Sequence, residues 1–316
     1  MSANTPLPRQ TRATSEYGLL AGGIAVFAWG LGPLFVRAMG VSTPTAVAYR
    51  LIIAVPVMHV VAWLFGGRVT RRLMRVALVP GALFGMSLIT GFAAVNNTSV
   101  SNATLISNLM PVAVVILARF VFQDKVRNRQ FVAVGVALAG MLIVVVGAGS
   151  TGDASLFGDF LAVINVVIWT AFFLRMKNLR DDGIHSWSLL AAVTTVAAIV
   201  AVPPCLIVSN DLGSMTAQSW AFLLAMVLLP GVIGHGLMTW ASGHLPVTVS
   251  SLLTLGSPVV SAVGAWLWLN QSMTEWQCVG SVIVLGALGA IGLNTRVEAV
   301  REASVARAGE LAADYS

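Results

Sequence analysis

Few side chains in this sequence can do chemistry, and their depth inside apolar runs limits what that chemistry could be. Arg50 is the clearest case: it lies within the apolar run 44–65, roughly 10 Å from the nearer end at the rise of an α-helix. A guanidinium at that depth snorkels to the interface, makes a structural hydrogen bond or binds an anion. His235 lies in the run 218–239, where its imidazole could titrate near neutral pH and couple protons to another process, or stay neutral and hydrogen-bonded. Asp159 opens the run 157–174, so its charge offsets the helix N-terminal dipole, with proton coupling as the alternative.

Two sets of small polar residues recur in step. Ser101, Thr104, Ser107 and Pro111 match Thr248, Ser251, Thr254 and Pro258, and steps of three or four residues put each set on one helix face. Such hydroxyls either let membrane helices pack and bond their own backbone, or line a cavity in which the two prolines free backbone carbonyls. Asn102 and Asn108 are costlier in lipid and favour a position facing protein or water. Trp29 and Trp169 lie deep in their runs, whereas anchoring tryptophans sit at span ends. They are core residues or contacts for an amphipathic organic compound.

The elements that must position these residues follow from composition. The chain has 316 residues, 57% hydrophobic and only 9% charged, far below the ~25% charge of soluble domains. Its net charge of +6 forms no basic stripe, which excludes nucleic acid as a partner and leaves membrane orientation as its meaning. Cys205 and Cys278 have neither disulfide nor metal spacing, and no cofactor motif or metal set is present. A Gly-rich phosphate loop ending in Gly-Lys-Ser/Thr is missing. An intramembrane enzyme would need clustered carboxylates or a nucleophile and base at depth, and neither occurs.

Apolar runs divide the chain into ten predicted spans, at 17–36, 44–65, 76–94, 101–121, 130–147, 157–174, 187–208, 218–239, 247–269 and 276–294. The uncharged stretches are split at turn-forming clusters, Asn96-Asn97-Thr98-Ser99 and Ser242-Gly243-His244. Placing the N-terminus in the cytoplasm puts all of the 18 Lys and Arg on that side except Arg37 and Arg50, as the positive-inside rule requires. Residues 1–16 and 295–316 are then cytoplasmic tails. Gly18 with Gly22, Gly81 with Gly85, and Gly286, Gly289 and Gly292 form small-residue rows that allow close helix approach, inside the bundle or across a homodimer.

Laying Trp29 on Trp169 also brings Gly18 onto Gly158 and Arg37 onto Lys177, and laying Pro111 on Pro258 matches Leu105 with Leu252 and Ala118 with Ala265. The chain therefore reads as two copies of a five-helix unit, 17–147 and 157–294. An odd span count inverts the second copy relative to the first.

The opening GGIAVFAWGLGPLFVRAMGVSTPTAVAYRLIIA, the closing LLPGVIGHGLMTWASGHLPVTVSSLLTLGSPVV, and the related NATLISNLMPVAVVILARFVFQDKV resemble EamA domains of the drug/metabolite transporter superfamily. EamA domains carry an acidic residue where the fourth span ends; Asp124 fits and Gln271 departs from it. The resemblance implies an all-α integral membrane protein of ten helices in two inverted five-helix repeats. It implies a secondary transporter, not an enzyme, that works without a cofactor in the cytoplasmic membrane. Such a transporter moves small organic metabolites, amino acids or drugs by alternating access, by export rather than import. The rivals are an importer or exchanger of anionic metabolites, for which Arg50 alone is a thin supply of cations, and a membrane protein that transports nothing. The resemblance also favours Trp29 and Trp169 as cavity residues.

Overall fold

A computed structural model describes residues 12–98, 106, 109–121, 128–147, 155–269 and 274–290, and every regular element among them is helical. The first seven are α1 (Arg12–Met39), α2 (Thr43–Leu64), α3 (Arg71–Asn97), α4 (Met110–Val121), α5 (Asn128–Gly147), α6 (Leu156–Asp181) and α7 (Ser186–Val208). Helix α8 (Ala217–Ser242) is α-helical to Met226, widens to a π-helix over Val227–His235, and resumes as Gly236–Ser242. Helix α9 joins Val247–Leu253 to Ser257–Leu269 through a 3-10 turn at Thr254–Gly256. Helix α10 is Glu275–Ala290.

Seven stretches among the described residues are long and apolar enough to cross a membrane: Glu16–Val36, Thr43–Leu64, Arg71–Ala94, Leu156–Asp181, Ser186–Val208, Ala217–Ser242 and Val247–Gly264. Side-chain caps fix several starts, since Thr70, Ser155 and Thr216 accept from the backbone N–H three residues on. Helix α6 runs to Asp181, past its expected end at 174, with Lys177 and Asp181 paired one turn apart. Large apolar residues such as Ile207 and Val282, 83% and 71% exposed, clothe the outer surface, as lipid rather than water demands.

The packing is organised by antiparallel and parallel pairs. Helix α3 lies against α6 and α7, and α1 lies against α8 and α9. Phe84 stacks on Phe172 at 5.2 Å while the α6 start meets the α3 end through Thr98 Oγ1, which donates to Asp159 Oδ1 at 2.7 Å, so α3 and α6 are antiparallel. Helices α2 and α7 are antiparallel too: the α2 start meets Ser209 and Asp211, just past the end of α7. At their other ends, Gly67 past α2 is packed so tightly on His185 and Ser188 that a Cβ there would lie 2.2 Å from Ser188 Oγ.

The turns that lead into α2 and α7 share one design. Gly40 (φ 66°) and Gly183 (φ 78°) end the preceding helices in the left-handed conformation that suits glycine. Two residues later come the caps Ser42 and His185, and each cap bonds the side chain three residues on, Ser42 Oγ to Thr45 Oγ1 and His185 Nδ1 to Ser188 Oγ, both at 3.1 Å.

The glycine rows sort by location. Gly18 and Gly22 face Leu245 and Leu253, and Gly81 and Gly85 face α7, inside the bundle. Gly286 and Gly289 have no atom within 4 Å of an added Cβ and lie on the outer face of α10. Gly292 lies outside the described residues.

Candidate functional site

Two helical stripes of the same period form a pocket between α6, α8 and α1. Trp169, Phe172, Phe173 and Met176 line it from α6, and His235, Met238, Thr239 and Ser242 from α8, with Trp29 across from them. Each stripe is spaced i, i+3, i+4, i+7, one face of a helix. The space between them is partly open and measures about 310 Å³ with that open side included.

Aromatic rings make the floor. Trp29 meets Trp169 edge-on at 6.4 Å, and the His235 imidazole lies 5.0 Å from both Trp29 and Phe84 and 6.1 Å from Trp169. His235 is the last residue of the π segment, which contains Pro230. Proline there lacks the N–H that an α-helical ladder would use, and π turns commonly mark functional positions. Trp29 packs tightly against Gly234, where a Cβ would fall 2.6 Å from Cδ1 and 2.7 Å from Nε1. The buried Nε1 has no hydrogen-bond partner among the described residues.

That contact makes Gly234 testable. Gly234→Ala must push the Trp29 indole aside, and overpacking of this kind costs roughly 1–3 kcal/mol. Thermal unfolding of the purified protein should show the loss, and Trp29→Phe in the same chain should recover part of it. An unchanged melting temperature would contradict the packing.

Arg50 does not snorkel. It is 7% exposed, and its Nη2 reaches His235 Nε2 at 3.5 Å. A guanidinium only donates, so Nε2 is the acceptor in this contact.

The other expected residues are placed differently. Ser251 and Thr254 do not line the pocket; their hydroxyls donate to the carbonyls of Thr248 (2.8 Å) and Ser251 (2.6 Å) around the 3-10 turn. Pro258 follows that turn, and Pro111 is buried at the second position of α4. Asp159, in the first turn of α6, takes its hydrogen bond from Thr98 far from the pocket. Asn102, Thr104 and Asn108 lie outside the described residues.

One end of the bundle is clasped. Asp211 Oδ2 accepts from the Ser42 backbone N–H at 2.6 Å, and Oδ1 accepts from Ser42 Oγ (2.6 Å), Ser209 Oγ (3.3 Å) and Thr45 Oγ1. Tyr49 Oη donates to the Leu212 carbonyl at 3.0 Å, and Ser219 Oγ to that of Met39 at 2.7 Å. Partial burial would raise the Asp211 carboxyl, but the hydrogen bonds from Ser42, Thr45 and Ser209 outweigh it and hold the group at about 2. At the opposite end Arg180 Nε donates to the Thr239 carbonyl at 3.2 Å, and its Nη1 to that of Ile184. This one side chain ties α6 to α8 beside the pocket's Thr239 and Ser242.

Residues 16–146 and 156–293 each match the EamA-like transporter family. The chain belongs to that family. Among its relatives, the uncharacterized transporter YyaM of Bacillus subtilis (strain 168) is 23% identical over 269 residues, covering 80% of this chain and 85% of that protein. Protein RarD of Streptomyces exfoliatus is 25% identical over 282 residues, 86% of each chain. A probable amino-acid metabolite efflux pump of Escherichia coli (strain K12) is 21% identical over 201 residues, 59% of this chain and 65% of that one. A crystal structure superposes with a TM-score of 0.75 at 18% identity over 88% of this chain and 98% of its own, which supports the fold. This EamA-family chain is therefore a multi-pass membrane transporter rather than an enzyme, embedded in a lipid bilayer and acting on small molecules.

Sequence reasoning missed Phe84, Phe172, Phe173, Met176, Met238 and Arg180. The signal for the α6 set was the i, i+3, i+4, i+7 spacing that runs on from Trp169 through Phe172 and Phe173 to Met176. The clasp had no such signal, because Asp211 reads as an ordinary loop acid.

Proposed function

We propose that the chain exports small organic metabolites, amino acids or drugs across the cytoplasmic membrane as a secondary carrier, by alternating access. Its two five-helix units, 17–147 and 157–294, form inverted repeats of ten spans in all, with both tails, 1–16 and 295–316, in the cytoplasm. The observation that carries this reading is the pocket where α1, α6 and α8 meet, with the many-bonded Asp211 clasp at one end of the bundle and the Arg180 link between α6 and α8 at the other.

The antiparallel α2 and α7 support inversion. They occupy matching places in the two units, and each begins beside the chain that has just left the other. A two-fold axis between such helices lies in the membrane plane, the arrangement around which many carriers place one central site. With the positive-inside orientation, the clasp is the outer closure, and the form described is shut outward. Trp29, Trp169 and His235 are then cavity residues, whereas Ser251 and Thr254 hold their own helix turn. That the Escherichia coli relative is named a probable efflux pump supports export.

Counterflow in proteoliposomes, with and without a pH gradient, tests the carrier. At least one class of small organic compound should exchange across the vesicle wall faster than in empty liposomes, and Trp169→Ala should abolish that exchange. A panel of organic acids, amines, amino acids and neutral amides that shows no counterflow would overturn it.

A further inference from the structure

Arg50 is a buried cation with no carboxylate partner among the described residues. The sequence has no Asp or Glu between Glu16 and Asp124, or between Asp211 and Glu275, so α2, α3, α8 and α9 bring no carboxylate to it, and α1 brings none beyond Glu16 near its start. Helix α7 holds none either, and the two on α6 lie at its ends, Asp159 at the clasp end against Thr98 and Asp181 at the other end paired with Lys177. Among the described residues the guanidinium's one hydrogen bond is to His235 Nε2 at 3.5 Å, the longest contact that still counts as one. Nη2 is the guanidinium nitrogen that makes it, so the rest of the donor fork is available to an incoming acceptor.

An unpartnered donor stands beside the same imidazole. Trp29 Nε1 is buried and unpartnered, on a ring 5.0 Å from His235. A buried donor of this kind needs an acceptor, and the Trp29 N–H lies on one side of the pocket's His235, with the Arg50 guanidinium behind the same imidazole. An acceptor with two oxygens and a negative charge suits a guanidinium fork best. One cation neutralises one charge, so a doubly charged phosphate monoester would keep an unpaired charge in a low-dielectric site. The remaining wall of Trp169, Phe172, Phe173 and Met238 fits an apolar or aromatic body.

We propose that the pocket takes a monoanionic carboxylic acid with an apolar or aromatic body, its carboxylate received by Arg50 and the Trp29 indole N–H. The carboxylate replaces the long Arg50–His235 contact and leaves the ring stacking in place. This rests on the reading of the pocket as a transport site, but binding can be measured apart from transport.

The probes are benzoate, 3-phenylpropionate and octanoate, each with its neutral amide, and phenethylamine as the cation, titrated calorimetrically into the purified full chain. At least one acid should bind about tenfold or more tighter than its amide, as a charge-assisted bidentate pair provides. Arg50→Gln should remove that preference, Arg50→Lys should keep part of it, and Trp29→Phe should weaken the acid several-fold. Amides or the amine binding as well as every acid would overturn the assignment, as would a preference that survives in Arg50→Gln. Should Arg50→Gln fail to fold, the acid–amide comparison in the unaltered protein decides alone. Counterflow of neutral or cationic compounds without acid preference removes the carboxylate assignment and leaves the carrier. Acid binding with no counterflow of any compound removes the carrier and leaves the binding site.

Discussion

The double variant Gly81→Ala, Gly85→Ala is expected to destabilise the protein by about 3 kcal/mol, the scale of overpacking at two tight contacts. A Cβ at Gly81 would lie 2.4 Å from Val196 Cβ and 2.9 Å from the Val193 carbonyl oxygen, and one at Gly85 would lie 2.9 Å from the Ala197 carbonyl oxygen. Backbone atoms are among the obstacles, so side-chain rotation cannot relieve the clash and α3 must move off α7. Phe84 rides on α3 and touches both Trp169 and His235, so the pocket shifts with it and transport should fall as well. Gly286→Ala with Gly289→Ala is the control, because neither position has an atom within 4 Å of the new methyl. There the better helix propensity of alanine, up to about 1 kcal/mol per site, should leave stability unchanged or raised. Equal melting temperatures for the two double variants would show that the α3–α7 seam does not depend on those glycines.

Asp211→Asn should open the clasped end. The amide cannot accept from all the groups that converge on the carboxylate, and charge-assisted bonds of this kind are worth about 1.5–3 kcal/mol each when sheltered. Asp211 is partly open to solvent, so screening brings the expected loss to about 1–2 kcal/mol, roughly a tenfold shift in population. Met39, 2% exposed beneath the clasp, reports on it. In a Cys278→Ser background, which removes the exposed native thiol, Met39→Cys should react with an impermeant maleimide about tenfold faster when Asp211→Asn is added, following the same population shift.

Acid gives the same result by another route. The carboxyl's folded value of about 2 lies below its ordinary 3.8, so its stabilisation is fully present above about pH 4 and is lost as the pH falls towards 2. Opening of the clasp, followed as hydrogen-exchange protection at Ser42 and Thr45 relative to the unprotected amide rate at each pH, should therefore be flat from pH 8 to about 5 and rise only below about 4. Across the neutral range Asp211 stays ionised, so it holds the clasp without taking part in proton coupling. Labelling of Met39→Cys that ignores Asp211→Asn would remove the clasp from the gating account.

The clasp and the Arg50 site show how differently two parts of the molecule were readable. Transfer into lipid acts on each stretch locally, so the long apolar runs, the split at Ser242-Gly243-His244 and the depth of Trp29 and Trp169 could be read without coordinates. Helix α8 ends at Ser242 and α9 begins at Val247, where the turn residues placed the break. The duplicated pattern around Trp29 and Trp169 reads from the chain for the same reason, and both rings meet in the pocket.

What the residues by themselves determined is therefore a helical, membrane-embedded, duplicated chain of the EamA kind with two tryptophans at depth. Tertiary structure decided which polar groups meet. Arg50 and His235 lie 185 residues apart, and Ser42 and Asp211 lie 169 apart. Whether such partners touch depends on how each helix is rotated and tilted, and on the π segment that sets the angle of His235. Those angles come from packing between neighbours across the whole bundle, which no local pattern of apolar residues encodes.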